Sequence, residues 1–275
     1  MMEAKDFASD RQVKYCAGCG DYAVLMALKK TFAELELNPK DIAVISGIGC
    51  SSRTPYYLNT WGFNTIHGRA GAIASGLKIA RPDLSVWQCT GDGDCLAIGG
   101  NHFIHEVRRN IDVNIILFNN QIYGLTKGQY SPTTPQGQIT KTSPFGSIEE
   151  PLNAGELTLA SNGTFFARCL DKNMKENVEI FKQAYHHKGT AVVECLVNCL
   201  VWNDGAHKNI ETVSFKNGDK FEMAGVEFIY DTHDKDLANI VLNYFDGKKQ
   251  PLIVGVIYET ERPVYEEELY KQMHD

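Results

Sequence analysis

The chain has 275 residues, of which 43% are hydrophobic, 22% charged and 10% aromatic. This composition is that of a globular protein long enough for one large α/β domain, and it excludes a disordered or fibrous chain. Lys and Arg number 27 against 34 Asp and Glu, and the net charge of −7 argues against nucleic-acid binding, because neutralising phosphates requires clustered cations. No apolar run reaches the roughly 18 residues of a membrane-spanning helix. The opening segment, MMEAKDFASD, lacks a signal-peptide pattern, which predicts a cytoplasmic protein without a membrane partner.

Helices and strands alternate along most of the chain. The spacing of apolar residues predicts helices over residues 21–37, 69–80, 97–109 and 177–187. Short apolar runs predict strands over residues 41–47, 84–89, 113–118, 164–169 and 191–200. This alternation predicts an α/β fold, with a mostly parallel sheet and helices on both of its faces. In such sheets, ligands bind at the carboxyl ends of the strands.

Two segments depart from this alternation. Residues 119–151 are rich in Gly, Thr, Gln, Ser and Pro, and so long a loop in a compact domain is usually functional or disordered. Further on, VSFKNGDKF predicts a hairpin around Asn217 and Gly218, and LIVGVIY predicts a late strand before an acidic tail. We therefore predict an α/β domain over residues 1–210 and an extension over residues 211–275, which packs on the domain or on a partner.

The most informative motif is TGDGD after one predicted strand, together with NN at the end of the next. Loops that follow neighbouring parallel strands lie side by side. Gly91 and Gly93 allow backbone amides to approach a phosphate, and the oxygens of Asp92 and Asn120 are hard ligands of the kind that Mg²⁺ prefers. The alternative is that GDG is only a tight turn. The preceding strand, the following helix and the asparagine pair favour diphosphate binding.

This pattern resembles the thiamine diphosphate-binding motif, in which GDG is followed by NN. The resemblance implies the fold of a thiamine diphosphate-binding (diphosphate) domain, with Mg²⁺ held by Asp92, Asn120 and the backbone carbonyl of Ile122. It also implies a set of further residues that contact the cofactor: Ser51, Ser52, His67, Gly91, Gly93, Asp94, Gly124, Leu125 and Thr126.

Eight cysteines in a chain expected to be cytosolic indicate a metal or redox site rather than disulfides. Cys16 and Cys19 form a C-x-x-C pair, Cys50 follows a predicted strand, and Cys199 lies in NCLVWND. Four thiolates suit either an iron–sulfur cubane or structural zinc, and their spacing does not decide between the two. A C-x-x-C pair alone also fits a redox dithiol.

The other four cysteines have simpler interpretations. Cys89 and Cys169 lie inside predicted strands, where we expect buried apolar residues. Cys95 lies beside GDGD, and we expect it to line the cofactor site rather than bind metal. Cys195 and Cys199 alternate onto the same face of an ideal strand, so periodicity alone does not select the fourth thiolate, although we favour a buried role for Cys195.

Six stretches of the chain together resemble the β subunit of the 2-oxoacid:ferredoxin oxidoreductases, and within that family the two-subunit type that acts on 2-oxoglutarate. These stretches are CAGCGD, GIGCSS, HGRA, GDGD, FNNQIYGLTKGQYSPTTPQG and NCLVWND. The resemblance extends from about residue 15 to residue 204. It implies that one 4Fe–4S cluster is held by Cys16, Cys19, Cys50 and Cys199. This chain has Asn198 where relatives usually have a proline before the last of these cysteines.

The resemblance implies an enzyme that decarboxylates a 2-oxoacid, passes the acyl group to coenzyme A and sends electrons through the cluster to ferredoxin, or runs in reverse as a carboxylase. It also implies an α subunit, which supplies the aminopyrimidine side of the thiamine site and its activating glutamate. Lys127 and His67 are candidate catalytic residues, Lys127 for a substrate carboxylate or coenzyme A phosphates and His67 for the thiamine. The alternatives are a solvated lysine and a structural histidine.

Two other functions are compatible with these motifs. The chain would be the diphosphate-binding half of a non-redox thiamine-dependent decarboxylase or carboligase if its cysteines hold structural zinc. It would be a non-enzymatic metal-binding adaptor if no 2-oxoacid is turned over in the complete complex. Iron content and turnover distinguish the three possibilities.

Overall fold

The structure is a computed structural model that describes residues 2–247 and 250–274. The strands are β1 (Ile42–Ser46), β2 (Trp61–Asn64), β3 (Ser85–Gly91), β4 (Val113–Asn119), β5 (Phe165–Leu170), β6 (Ala191–Leu196), β7 (Thr212–Val213), β8 (Lys220–Met223), β9 (Val226–Ile229), β10 (Leu252–Ile253) and β11 (Gly255–Glu259).

Helices connect most of these strands. The α-helices are α1 (Asp21–Glu34), α2 (Ala70–Ala80), α3 (Gly100–Arg109), α4 (Ala154–Ala160), α5 (Met174–His186), α6 (Lys235–Tyr244) and α7 (Tyr265–His274). Short 3₁₀ segments cover Ala4–Phe7, Pro39–Asp41 and Ser51–Tyr57, and a π-helical turn covers Gly93–Ile98. In the described part of the chain, no helix has the length and apolar character needed to cross a membrane.

Seven strands form the main sheet, in the order β11-β5-β6-β4-β3-β1-β2. Every neighbouring pair from β5 to β2 is parallel, and β11 runs antiparallel beside β5. All residues of β4, β5 and β6 are buried, as expected for parallel strands with both faces covered. The predicted mostly parallel sheet is therefore confirmed.

Helices pack on both faces of this sheet, and each face has its own apolar core. Phe32 of α1 and Phe181 of α5 belong to one core, whereas Phe103 of α3 belongs to the other. Adjacent residues of β4 contribute to different cores: Ile115 belongs to the core that contains Phe103, and Ile116 to the core that contains Phe32 and Phe181. This alternation is the period of two expected for a strand buried between two layers.

Element boundaries differ from the sequence predictions at the ends that matter for the site. The strand predicted over residues 191–200 ends at Leu196, so the chain has left the sheet before Cys199. The helix predicted from residue 97 begins earlier, because the π-helical turn starts at Gly93, directly after Asp92. Strand β2 was not predicted, because it is a largely exposed edge strand without an apolar run.

The predicted hairpin around Asn217 and Gly218 is wrong. The antiparallel pair lies further along the chain, where Ala224 and Gly225 connect β8 to β9. The Asn217 side-chain oxygen instead accepts a hydrogen bond from the Thr232 backbone N–H at 2.8 Å. That bond links the Asn217 turn to the segment after β9. The strands on either side of the turn, β7 and β8, pair with β10 and β9 and not with each other.

The late strand predicted for LIVGVIY is divided into β10 and β11. Strand β11 forms one edge of the main sheet, and its residues Ile257 and Tyr258 enter the core that contains Phe103. The later part of the chain thus adds to the sheet of the earlier part. The proposed boundary at residue 210 stays a prediction.

Candidate active site

A cavity of about 160 Å³ lies beside the GDG turn, at the carboxyl ends of β1, β3 and β4. We call it the GDG cavity. Most of the residues predicted to contact the cofactor line it: Ser51, His67, Gly91, Asp92, Gly93, Asp94, Asn120, Ile122, Gly124, Leu125 and Thr126. They converge because the central parallel strands end at one edge of the sheet.

Three residues expected at or near this cavity are not among those that line it. Ser52 is buried, and its backbone carbonyl accepts a hydrogen bond from the Ser46 hydroxyl at 2.9 Å. Lys127 is exposed on the loop after β4, with a left-handed backbone (φ 69°). Cys95 is buried in the core that contains Phe103. The roles predicted for Ser52 and Lys127 stay predictions, whereas Cys95 does not line the GDG cavity.

Asp92 is one of three deeply buried carboxylates at this cavity, with 3% of its surface exposed. One of its oxygens, Oδ2, accepts hydrogen bonds from the hydroxyls of Ser131 at 2.5 Å and Thr133 at 2.6 Å. Burial raises the pKa of Asp92 to about 6, and the two hydroxyls act in the opposite direction. A cation at this carboxylate would favour its ionised form.

The two asparagines after β4 have different environments. Asn120 lines the GDG cavity, and its side-chain oxygen accepts from the Ile122 N–H at 3.1 Å. Asn119 is buried, and its side-chain amide donates to Glu194 at 2.7 Å. Asp92, Asn120 and the chain at Ile122 therefore bring hard oxygen donors to one cavity, and this donor set fits Mg²⁺.

Asp94 lies at the wall of the cavity, but protein groups surround its carboxylate. One oxygen accepts from the backbone N–H groups of Gly68 at 2.7 Å and Ile48 at 3.0 Å and lies 2.6 Å from Nδ1 of His67. The other oxygen accepts from the Thr90 hydroxyl at 2.8 Å. Asp94 thus fixes the loop after β1 and the orientation of His67.

Two buried polar atoms at the GDG cavity lack a hydrogen-bond partner among the described residues: the hydroxyl of Ser51 and Oδ2 of Asp21. Such atoms are rare in folded proteins and point to a missing ligand or water. Burial raises the pKa of Asp21 to about 7. Asp21 was not predicted as a site residue, although it is the last letter of CAGCGD and lies two residues after Cys19.

A second cavity, of about 170 Å³, is lined by all four predicted cluster ligands: Cys16, Cys19, Cys50 and Cys199. We call it the thiol cavity. The start of α1 and the end of β6 meet here, because the Gly20 N–H donates to the Asn198 carbonyl at 3.2 Å. Burial raises the pKa of Cys50 to about 11. Arg53 acts in the opposite direction, and a metal bound at this thiol would replace its proton.

The arrangement of these thiols bears on what they can hold. In the described residues, no group of three or more His, Cys, Asp or Glu side chains is arranged to hold a metal ion. Each thiolate of a cubane binds a different iron, so cluster ligands surround a volume instead of converging on a point, as they do around zinc. Four thiols around a cavity therefore fit an iron–sulfur cluster more closely than a single zinc ion.

The structure separates Cys195 from Cys199. Cys195 is fully buried in β6, and its sulfur lies 3.5 Å from that of Cys169 on the neighbouring strand. Cys199 lies beyond the strand, in a turn that opens on the thiol cavity. Cys89 and Cys169 are fully buried, as predicted.

The two cavities share part of their walls. Cys50, Asn120, Gly124 and Leu125 line both of them. At Gly124, a Cβ atom would lie 3.8 Å from the sulfur of Cys50 and 3.9 Å from that of Cys199. A side chain at this position would therefore contact both sulfurs.

The long segment over residues 119–151 folds back onto the site. Ser131 and Thr133 reach Asp92, and the Thr134 hydroxyl donates to the Gln121 carbonyl at 2.6 Å. Their hydroxyls were not predicted as site groups, and the signal for them was the SPTT run in an otherwise irregular loop. The segment is thus a built part of the site.

Comparison with known proteins places these features in a family. Residues 47–195 match the model of the thiamine pyrophosphate enzyme C-terminal TPP binding domain. The 2-oxoglutarate oxidoreductase subunit KorB of Mycobacterium tuberculosis is 55% identical over 204 residues, which are 74% of this chain and 55% of that protein. The 2-oxoglutarate synthase subunit KorB of Methanocaldococcus jannaschii is 40% identical over 257 residues, or 94% of this chain and 91% of that protein.

A solved structure agrees with these relatives. It is a 2-oxoglutarate:ferredoxin oxidoreductase from Magnetococcus marinus with 2-oxoglutarate, coenzyme A and succinyl-CoA bound. A chain of that structure superposes with a TM-score of 0.91 and 34% identity, covering 99% of this chain and 90% of its own length. The aligned part spans only about half of the mycobacterial relative, but nearly all of the methanogen protein. Together with the GDG cavity, these matches show that the chain belongs to the KorB-type β subunits of the 2-oxoacid:ferredoxin oxidoreductases.

Proposed function

We propose that this chain is the catalytic β subunit of a 2-oxoglutarate:ferredoxin oxidoreductase. The complete enzyme would convert 2-oxoglutarate and coenzyme A to the acyl-CoA and CO₂. The electrons would pass through a 4Fe–4S cluster to ferredoxin. The enzyme would also run in reverse as a carboxylase. The observation that carries this proposal is the common wall of the GDG and thiol cavities, formed by Cys50, Asn120, Gly124 and Leu125.

The GDG cavity would hold the diphosphate end of the cofactor. Asp92 and Asn120, with the carbonyl of Ile122, would hold Mg²⁺, and the backbone at Gly91 and Gly93 would approach the phosphates. Bound thiamine diphosphate supplies the electron sink that decarboxylation of a 2-oxoacid requires. His67, oriented by Asp94, would face the reacting end of the site.

The thiol cavity would hold the cluster on Cys16, Cys19, Cys50 and Cys199. Oxidation of a 2-oxoacid releases electrons at the thiamine site, so an acceptor is needed within short reach of that site. A cluster behind the wall at Gly124 would meet this need. A thiamine site and a cluster site that share a wall favour this oxidoreductase over a non-redox thiamine enzyme, because the non-redox reaction requires no electron acceptor.

The substrate assignment rests on the relatives. Two of them are named for 2-oxoglutarate, and the superposed structure is described with 2-oxoglutarate and coenzyme A bound. Lys127, exposed on the loop beside the site, is proposed to attract a substrate carboxylate or the phosphates of coenzyme A by charge. A second subunit, the α subunit, would supply the aminopyrimidine side of the thiamine site and its activating glutamate.

The test is anaerobic co-purification with the α subunit, followed by metal analysis and a panel of 2-oxoacids with coenzyme A and a dye acceptor. We expect iron, little zinc, and turnover that is fastest with 2-oxoglutarate. Zinc in place of iron would favour the non-redox thiamine enzyme, and iron without turnover of any 2-oxoacid would favour the metal-binding adaptor.

Variants assign the two sites separately. Asp92→Ala should abolish thiamine-dependent turnover and leave the iron content unchanged. Cys199→Ala should lose the iron, whereas the matched variant Cys195→Ala, in the buried strand, should keep it. Loss of both cofactors from folded Asp92→Ala protein would contradict two separate sites, and loss of iron from Cys195→Ala alone would reassign the fourth ligand.

A further inference from the structure

Asn203 connects the turn that follows Cys199, at the thiol cavity, to the chain at Asn120, which lines the GDG cavity. It lies in the turn that follows Cys199, and its backbone N–H donates to the Cys199 carbonyl at 2.9 Å. Its side-chain amide donates to the Asn120 carbonyl at 2.9 Å. One residue is therefore bonded both to a predicted cluster ligand and to a predicted Mg²⁺ ligand.

The remaining contacts of Asn203 fix its orientation. Its side-chain oxygen accepts from the Gln138 amide at 2.8 Å, so the amide nitrogen must face the chain at Asn120. The same nitrogen lies 3.5 Å from the Gln121 carbonyl. The side-chain hydrogen bonds of Asn203 are thus directed at two separate parts of the long segment after β4, at residues 120–121 and at residue 138.

The chain at Asn120 needs this support because its backbone is unusual. Gln121 has a left-handed backbone with φ of 56°, a region that few residues other than glycine adopt without compensation. Asn120 lines both cavities. A shift of its carbonyl would therefore move a group that belongs to the metal site and to the common wall.

We propose that Asn203 is a positioning residue that couples the two cavities, so that occupation of one stabilises the other. This inference rests on the proposed function, because it assumes that thiamine diphosphate with Mg²⁺ fills one cavity and the cluster fills the other. Coupling of this kind is reciprocal, since each ligand must stabilise the other by the same factor. The hydrogen bond from Asn203 to Asn120 is the contact through which we expect it to act.

The test uses the anaerobic complex with the α subunit and measures how fast an iron chelator bleaches the visible absorbance of the cluster. We expect thiamine diphosphate with Mg²⁺ to slow bleaching about 10-fold in the natural protein. In Asn203→Ala, which removes the side-chain amide without adding charge, this protection should fall below about 2-fold. Asn203→Asp keeps the shape and the Gln138 contact, and it should lose the protection in the same way.

The matched control is Asp204→Asn in the same turn. Asp204 accepts a hydrogen bond from the Asn198 side chain at 3.0 Å, and its side chain has no bond to Asn120. This variant should keep the full protection. A merely loosened turn would accelerate bleaching equally with and without the cofactor, so the ratio of the two rates separates coupling from general instability.

The outcomes separate the inference from the proposed function. If the natural complex binds both groups but shows no protection, or if Asn203→Ala keeps full protection, the coupling is wrong and the proposed function stands. If the complex binds no iron or no thiamine diphosphate, both are wrong. Loss of protection in both Asn203 variants but not in Asp204→Asn supports the coupling.

Discussion

At the residue scale, the environment of Asp92 depends on a loop far away in sequence. The hydroxyl of Thr133 lies 2.6 Å from Asp92 and 2.8 Å from the side-chain oxygen of Asn119. A hydroxyl has one proton, so it donates to one of these acceptors at a time. Thr133 therefore sets the position of the carboxylate without lining the cavity itself.

Thr133→Val should weaken Mg²⁺ binding about 10–100-fold, because it removes this hydroxyl and keeps the shape of the side chain. Titration calorimetry with Mg²⁺, in the presence of thiamine diphosphate, measures the change. The matched control is Thr140→Val in the same segment, because the Thr140 hydroxyl has no hydrogen-bond partner among the described residues. An equal loss in both variants would mean that the loop, and not the hydroxyl, supports the metal.

The site residues that could be identified from the sequence are those that lie in a recognisable local motif. Asp92 and Asn120 each follow a strand directly, so the order of strands was enough to bring them together. Asp21 and Ser131 were missed, because the CAGCGD and SPTT sequences around them do not show which distant groups they approach. Their contacts arise from folding of distant segments, which spacing along the chain does not encode.

At the element scale, one buried ion pair joins two strands and supports the end of a third. Arg168 of β5 lies directly opposite Glu194 of β6, and Nε of the arginine lies 2.6 Å from the carboxylate. The other oxygen of Glu194 accepts from the side chain of Asn119, the last residue of β4. This pair thus orients the residue that precedes Asn120.

Arg168→Met should destabilise the protein by about 3–5 kcal/mol, because it leaves the Glu194 charge buried without its partner. The double variant Arg168→Met with Glu194→Gln should recover most of this loss, because it removes the unpaired charge. Urea unfolding of the natural protein, the single variant and the double variant measures both steps. If the single variant lost less than about 1 kcal/mol of unfolding free energy, the pair would contribute no more than a surface ion pair, and the prediction would be wrong.

The sequence allowed prediction of strands whose two faces are both buried. Prediction failed for the strand that has an exposed face. Strand β4 reads as a continuous apolar run because both of its faces are covered. Strand β2 forms the exposed edge of the sheet, and its sequence, WGFN, has no such run. The Asn217 turn had the right local sequence for a hairpin, but the segments on either side of it pair with other strands.

At the scale of the whole molecule, the last part of the chain completes the sheet that positions the site. Strand β11 covers the edge of β5, the strand that carries Arg168. Its residues Ile257 and Tyr258 pack in the same core as Phe103. The last strand therefore shares a core with the middle of the chain, and the support of the site extends beyond the residues that carry its motifs.

A chain that stops before Leu252 should fail to fold stably, whereas a chain that lacks only α7 should fold. The longer deletion removes Ile253, Ile257 and Tyr258 from the core, and at about 1.5–3 kcal/mol for each buried apolar side chain this loss rivals the whole stability of a typical domain. It also exposes the hydrogen-bonding edge of β5, which favours aggregation. Helix α7 contributes one buried residue, Glu266, so its loss is less costly. The soluble yield and the thermal unfolding of the two truncated chains test this difference, and a cooperative transition in the shorter chain would contradict it.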